Sequence, residues 1–386
     1  MRILQIHNAY RQRGGEDAVA DAEAALLEDA GHDVHRLIVA NPESPVAAAA
    51  KLAVAAWNPG AGRLVRDAVE RFQPEVAHIH NTWFSLSSSA VAAVHKAGVP
   101  SVMTLHNYRY TCLNGQLLRD GAICELCVGR VPTPGVAHRC YRDSYPSSAM
   151  ATVGAIAAQR VWPRHVDRFI VMTEFARKTF VAAGLPAERF IVKPHHVADP
   201  GPRRDVPSSS RRVVFVGRLA PEKGVDVLVD AWGKASLEGF ELLVIGEGPL
   251  ETQLRDRAPS SVRFTGWVPP SEVQEIMQSA RLLAFPSIWY ETFGLVMVEA
   301  MAAGTPVLAS KLGGTPELIG AEAAGELVAA GDVTAWAGRL RDLVLSDDWI
   351  DRAGAAARTR YSATFTPDRA VRALERAYKT AKSKGE

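Results

Sequence analysis

Two carboxylates, Glu291 and Glu299, stand with seven residues between them in the run Phe285-Pro-Ser-Ile-Trp-Tyr-Glu-Thr-Phe-Gly-Leu-Val-Met-Val-Glu299. A carboxylate accepts hydrogen bonds from vicinal hydroxyls, such as those of a sugar or a ribose. Leu282–Phe285 has the short apolar pattern of a buried strand, and the Pro-Ser pair after it reads as a turn. Phe293-Gly294-Leu295 then opens a helix that carries Glu299, and the unpaired N–H groups of a helix start favour anionic phosphate oxygens. The chemistry expected here is polyol recognition beside a phosphate, at the carboxyl end of a strand, where open α/β sheets bind ligands. Two such acids in isolation would read as ordinary helix-dipole partners. The turn and the glycines around them favour the ligand reading.

A second constellation lies upstream, where Gly217-Arg218 follows the strand pattern Val213–Val216 and Lys223-Gly224 begins the next helix. Arg presents a planar fork matched to phosphate, and Lys a mobile point charge. Gly246-Glu247-Gly248-Pro249 closes another strand with a glycine turn, a weak signal on its own because glycines often only satisfy turn geometry. Near the amino terminus Gly14-Gly15 separates the first strand from the first helix. It is not G-x-G-x-x-G, so a dinucleotide fingerprint is absent. His106, followed by Asn107, ends the strand pattern Ser101–Leu105 and would face a ligand from there; His80 ends the preceding strand and is a weaker candidate.

Taken together, the E-x7-E spacing of Glu291 and Glu299, the trailing Ala-Met-Ala-Ala-Gly-Thr-Pro-Val and the upstream Phe215-Val-Gly-Arg-Leu-Ala-Pro-Glu-Lys-Gly224 resemble the family 4 retaining glycosyltransferases. The coarse pattern matches over nearly the whole chain. The resemblance implies the GT-B fold, two Rossmann-like parallel-sheet domains facing an interdomain cleft, with a last helix that crosses back onto the first domain. It implies transfer of a sugar from a nucleoside-diphosphate-sugar donor to a carbohydrate, lipid-linked or natural-product hydroxyl, with retained anomeric configuration and no catalytic metal. Arg218, Lys223, Gly14, Gly15 and the helix-start amides of Phe293, Gly294 and Leu295 would stabilise the diphosphate. Glu291 would hold sugar hydroxyls, Glu299 the ribose, and His106 the transferred sugar. In the family, the turn at Gly217 and Gly246 lies near the nucleotide and Trp267-Val268 resembles the stretch that lines the base; for Trp267, core packing is the competing reading. Asn107 stands where many relatives carry Asp, and His195-His196, where many have Asn-Gly, read as a hinge. Two rival functions are an epimerase or sugar phosphorylase on the same fold, revealed by isomerised donor or by phosphate dependence, and a non-catalytic binding module, which would hydrolyse no donor.

Cys112, Cys124, Cys127 and Cys140 are the only cysteines, in the pattern C-x11-C-x2-C-x12-C. They sit in a stretch (110–145) with little core-forming periodicity. Four thiolates around a structural zinc would explain order there. A disulfide formed on isolation and four unliganded thiols are the alternatives. Five arginines, at 109, 119, 130, 139 and 142, stand against Asp120 and Glu125. A basic lobe of this kind would suit a lipid-linked diphosphate or an anionic membrane surface, with solvated arginines as the plain alternative.

These residues need a scaffold, and 386 residues with 47% hydrophobic content can fill two cores. Alternating strand and helix patterns run end to end, giving an α/β class with two parallel-sheet units. Strands are expected at Ile3–Ile6, Val76–His80, Val102–Leu105 and Phe169–Met172, then at Val213–Val216, Leu242–Ile245, Val262–Thr265, Leu282–Phe285 and Val307–Ala309. Residues 198–212, rich in Pro, Ser and charge, read as the linker between domains 1–197 and 213–365. After Thr366-Pro367 the spacing of Val371, Leu374 and Tyr378 predicts a final helix in 366–386. A formal net charge of +2 is too small to argue for nucleic acid. No stretch resembles a membrane span or a signal peptide, so a cytoplasmic protein is expected, with peripheral contact at the inner membrane face as an option of the basic lobe.

Overall fold

The apolar runs pair into parallel sheets because β-branched and aromatic side chains buried on both faces need helices to cover them, and the intervening helical stretches supply that cover. The computed structural model describes residues 1–10, 14–41, 54–320 and 323–383. In chain order its strands are β1 (Arg2–Ala9), β2 (Asp33–Ala40), β3 (Val76–Asn81), β4 (Ser101–Thr104), the short pair β5 (Leu118–Arg119) and β6 (Ala122–Ile123), then β7 (Arg168–Val171) and β8 (Phe190–Val192). They continue with β9 (Arg212–Val216), β10 (Glu241–Ile245), β11 (Val262–Gly266), β12 (Leu282–Phe285), β13 (Val307–Ser310) and β14 (Gly325–Val328).

Two six-stranded parallel sheets result, ordered β2-β1-β3-β4-β7-β8 and β11-β10-β9-β12-β13-β14, with β5 and β6 forming a separate antiparallel pair. The chain divides into two compact units. One comprises Met1–Leu117, Cys124–Lys193 and Ala370–Glu386, the other Leu118–Ile123 and Pro194–Arg369. The α/β class and the doubly wound parallel sheets are as expected from the sequence. Each of the nine expected strands is present. In the two six-stranded sheets three strands were not anticipated, β2, β8 and β14, and all three are sheet edges; the short pair β5 and β6 was not anticipated either. An edge strand is less buried and carries more polar residues, as in Asp33-Val-His-Arg-Leu-Ile-Val-Ala40 with its half-exposed alternation, so its apolar signal is weak.

In the first unit the helix Gly15–Asp29 stops at Gly31, whose φ of +82° only glycine adopts cheaply. The Thr173 side chain caps the helix Glu174–Ala182 by accepting from the Ala176 N–H. The final helix Pro367–Lys382 buries Leu374, Ala377, Tyr378 and Ala381 among Ile3, Val76, Val102 and Ile170. Its apolar face is therefore part of this unit's core, with ~1.5–3 kcal/mol from a side chain such as Leu374 and under about 1 kcal/mol from each alanine. In the second unit Val213, Phe215, Leu242, Val244 and Leu282 pack beneath Leu228, Trp232, Trp336 and Leu340 from the helices Val225–Ala235 and Val333–Val344. Residues 198–211 form no strand or α-helix, yet they are fastened to this unit. Arg203 donates from Nη1 to Thr305 Oγ1 at 2.7 Å and from Nη2 to the Ala280 carbonyl at 3.0 Å, and Ser208 donates to Asp351 from both its N–H and its hydroxyl.

Candidate functional site

In the second sheet the strand order reverses between β9 and β12, and a reversal opens a crevice at the carboxyl ends of the two flanking strands. Gly217-Arg218 leaves β9 there, and the Pro286–Glu291 loop leaves β12. The loops are locked together by Gly224, whose φ is +63° and whose added Cβ would stand 2.1 Å from the Pro286 carbonyl oxygen. The Ile288 N–H also donates to the Glu222 carbonyl at 3.0 Å. This close approach brings Lys223 to Glu291. The buried Glu291 Oε1 accepts from Lys223 Nζ at 2.6 Å, Ser287 Oγ at 2.8 Å and Trp289 Nε1 at 2.9 Å. Lys223 Nζ also lies 5.2 Å from the centre of the Trp289 ring, a cation–π contact that steadies the ammonium. All three donors converge on Oε1, so Oε2 is the oxygen left for another group. Ser287 and Trp289 were not singled out from sequence, although both lie in the same run, four and two residues before Glu291. Arg218 is exposed.

Glu299 lies on the helix Leu295–Ala302, which starts at Gly294 with φ +88°. It lines a cavity of about 480 Å³ together with Val216, Val268, Pro270, Gln274 and Met277. Its surface is exposed through that opening, yet the surrounding walls strip enough hydration that burial raises its carboxyl pKa. Trp267 is 67% exposed, so the core-packing reading of this residue does not hold. Its N–H donates to Glu247 Oε1 at 3.2 Å. Gly246, at φ +128°, donates to the Gly266 carbonyl at 2.8 Å, and a Cβ there would stand 2.1 Å from the Gly217 carbonyl oxygen. Glycine is thus required where the turns after β9, β10 and β11 converge. The Phe293 ring is buried edge-on to His195 and Phe365, leaving its backbone as the part able to meet a ligand. His195, read as a hinge residue, is itself packed within this unit.

In the first unit the order reverses between β1 and β3, and the same end of the sheet gathers a buried polar cluster. His7 Nε2 donates to Asp17 Oδ1 at 2.8 Å, while Asp17 accepts the N–H groups of Tyr10 at 3.2 Å and Gly14 at 2.8 Å. Asp17 thereby fixes the approach to Gly14-Gly15, a role its sequence position did not announce. His106 pairs with His80 at 3.0 Å, and both line a narrow pocket of about 50 Å³ with Trp83, Asn107, Arg109 and Trp162. Burial pushes the pKa of His106 down to about 3 and that of His78 down to about 4, and holds His80 well below the ordinary value. Asn107 donates to Glu16 Oε1 at 2.5 Å, and burial raises the Glu16 carboxyl pKa despite this bond and the nearby Arg109 charge.

All four cysteines are free thiols. Cys112 Sγ donates to Asn114 Oδ1 at 2.9 Å, and the Cys127 carbonyl accepts from Thr111 Oγ1 at 2.8 Å. Burial, followed by the charges of the other three sulfurs, pushes the Cys127 thiol up to about 11. Among the described residues the group of ligand-type side chains that converges within 4.8 Å is a different one: Glu23, His78 and His80. No helix among the described residues is long and apolar enough to cross a membrane.

Two parallel-sheet units, the second with a Lys–Glu couple and a carboxylate-lined pocket at the carboxyl ends of its strands, define a doubly wound α/β protein with its ligand-type residues at strand-order reversals. Comparison with known proteins agrees: residues 13–196 match the glycosyl transferase 4-like domain, and residues 210–346 match the glycosyl transferases group 1 model. The chain belongs to the family 4 glycosyltransferases, with the GT-B fold. It is 38% identical over 178 residues to the phosphatidyl-myo-inositol mannosyltransferase of Mycobacterium leprae, a match covering 44% of this chain and 47% of that protein. The chain thus aligns with about half the length of that relative. The enzyme of the same name from Mycolicibacterium smegmatis is 29% identical over 356 residues, covering 87% of this chain and 82% of the relative. Among solved structures, Anabaena HepE in complex with UDP superposes with a TM-score of 0.70 over 98% of this chain and 100% of that one, at 18% identity.

Proposed function

We propose that this chain transfers a sugar from a nucleoside-diphosphate sugar to a hydroxyl acceptor, with the anomeric configuration retained and without a catalytic metal. The observation that carries this reading is the convergence of Lys223, Ser287 and Trp289 on one oxygen of Glu291 at the β9–β12 reversal. That arrangement occupies Oε1 and leaves Oε2 for a polyol, beside a cation suited to phosphate. In this reading Arg218, Lys223 and the first amides of the helix Leu295–Ala302 take up the charge that develops on the departing diphosphate, the work a divalent ion would otherwise do. Glu299, in the 480 Å³ pocket, takes the ribose hydroxyls. Trp267 and Val268 border the base. His106 meets the transferred sugar. The acceptor's proton goes to a phosphate oxygen of the leaving group, since among the described residues no second carboxylate pairs with Glu291 as the two acids of a retaining hydrolase do.

The names of the mycobacterial relatives favour a lipid-linked polyol acceptor, and the bound UDP of HepE favours a uridine donor. Thermal-shift measurement against UDP-, GDP-, ADP- and dTDP-sugars tests the donor directly. A ligand at a hundred times its dissociation constant adds about 2.7 kcal/mol of stability, and no shift with any of the four would refute the proposal. A structural zinc on the four cysteines, whose sulfurs lie near enough to act on one another, stays a proposal: no three of these sulfurs lie within 4.8 Å of one another, so binding would have to draw them together. Metal analysis of reductively purified protein should give close to one zinc per chain, released by joint Cys124→Ser and Cys127→Ser substitution. Absence of metal beside four titratable thiols would end that assignment.

A further inference from the structure

The buried cluster beneath His106 has a direction. Arg36 Nε donates to Gln5 Oε1 at 2.8 Å, and Gln5 Nε2 donates to the Ala20 carbonyl at 2.7 Å. A guanidinium can only donate and a carbonyl can only accept, so the two contacts together fix which end of the Gln5 amide is oxygen and which is nitrogen. The same Gln5 Nε2 lies 3.3 Å from His80 Nε2. An amide nitrogen only donates, so His80 must accept there, and its ring proton must sit on Nδ1. His80 Nδ1 is 3.0 Å from His106 Nε2, with the two rings within 14° of parallel. His106 therefore accepts at Nε2 and carries its own proton on Nδ1.

Two other readings of this cluster fail on the same contacts. Glu23 Oε2 stands 3.8 Å from His80 Nε2, beyond hydrogen-bond reach, and Glu23 Oε1 is engaged by Lys193 Nζ at 2.5 Å. The carboxylate thus does not draw a proton onto His80 Nε2. Nor do Glu23, His78 and His80 hold a metal: Lys193 already supplies the buried positive charge, and both ring nitrogens of His78 are engaged, by Tyr378 at 2.9 Å and Thr104 at 2.8 Å. A cation site would need that Lys gone and an imidazole lone pair available.

We propose that Arg36, Gln5 and His80 are positioning residues that set the tautomer of His106, so that His106 meets substrate as a neutral donor from Nδ1 and never as the base that takes the acceptor's proton. The functional half of this statement rests on the glycosyl-transfer reading above; the tautomer half does not. A donor at Nδ1 suits a sugar hydroxyl or an oxygen gaining negative charge, and it leaves proton removal to the leaving phosphate. Burial keeps both rings neutral through the physiological range, so the relay does not switch with pH there.

The test is long-range proton–nitrogen NMR on the full chain carrying 15N-labelled histidine, with His80 and His106 assigned by single substitution. Both should show protonated Nδ1 and bare Nε2. A protonated Nε2 on His106 overturns the proposal, whatever the enzyme's activity. Two variants carry it to function, because Asn and Asp each place a polar atom near the His80 Nδ1 position. His80→Asn can still donate an N–H to His106, and should keep the Nδ1–H tautomer with less than about threefold loss of kcat. His80→Asp offers only acceptors, and should move the His106 proton to Nε2 with at least about a tenfold loss of kcat at unchanged donor KM. Equal loss in both variants would mean His80 merely fills space, and a shifted tautomer with unchanged kcat would sink the functional half. Failure of the wild-type protein to transfer sugar would refute the glycosyl-transfer reading alone, since the tautomer is read without turnover.

Discussion

Replacing Glu291 by Gln changes one oxygen and one charge at the point where three donors meet. Oε1 accepts from Lys223 at 2.6 Å, Ser287 at 2.8 Å and Trp289 at 2.9 Å. A hydrogen bond to an ionised acceptor contributes ~1.5–3 kcal/mol against ~1 for a neutral one, so each bond weakens by roughly 1 kcal/mol. The Lys223 side chain is 25% exposed and regains some hydration when its partner loses charge. The net cost to the second unit is therefore about 2 kcal/mol. The bond from a sugar hydroxyl to Oε2 weakens by about the same 1–1.5 kcal/mol, on the order of tenfold in rate if it matters in the transition state. The assay is steady-state transfer at saturating donor and acceptor, paired with the thermal shift produced by the free nucleoside diphosphate, which lacks the sugar. Transfer should fall by at least about tenfold while the diphosphate shift persists. Unchanged turnover would remove Glu291 from the site, and loss of the diphosphate shift as well would mean that the loop has collapsed.

Arg218→Ala should weaken the hold on the diphosphate, giving a kcat/KM defect of about ten- to a hundredfold that is the same for different sugars on one nucleotide; a defect that depends on the sugar would count against the assignment. Gly224→Ala drives a Cβ to 2.1 Å from the Pro286 carbonyl at a φ of +63°. It should separate the two loops, lower stability by at least ~1–3 kcal/mol and abolish the nucleotide-induced thermal shift; a normal shift in this variant would refute the loop-locking account. Acid should destabilise the first unit. His78 and His106, held at about 4 and about 3 by burial, are neutral in both folded and unfolded states well above the ordinary value of 6.5. As pH falls below 6.5 the unfolded chain takes up protons that the folded unit refuses, so each residue costs about 2 kcal/mol by pH 5. Hydrogen exchange in β3 and β4 should accelerate over that interval, and flat protection from pH 7 to 5 would contradict the burial.

The local pattern of the chain was enough to locate the buried strands, because a strand covered on both faces must be apolar throughout. It failed at β2, β8 and β14, where an edge position lifts that requirement. Glu291, Lys223 and the glycines at 217, 224, 246 and 294 were legible because each combines a residue type with a strand end, and the chemistry at a strand end in a parallel sheet is predictable from the fold. Only the tertiary structure decided which atoms meet. Lys223 reaches Glu291 because a glycine lets two loops touch across 62 residues of sequence from 224 to 286. Trp267, a candidate for the core by its type, turned out exposed. Gln5 and Arg36 carry no motif at all. They define the state of His106, by way of His80, through distances between β1, β2, β3 and the end of β4, and a hydrogen-bond direction exists only once donors and acceptors from separate strands have been brought within about 3 Å of one another.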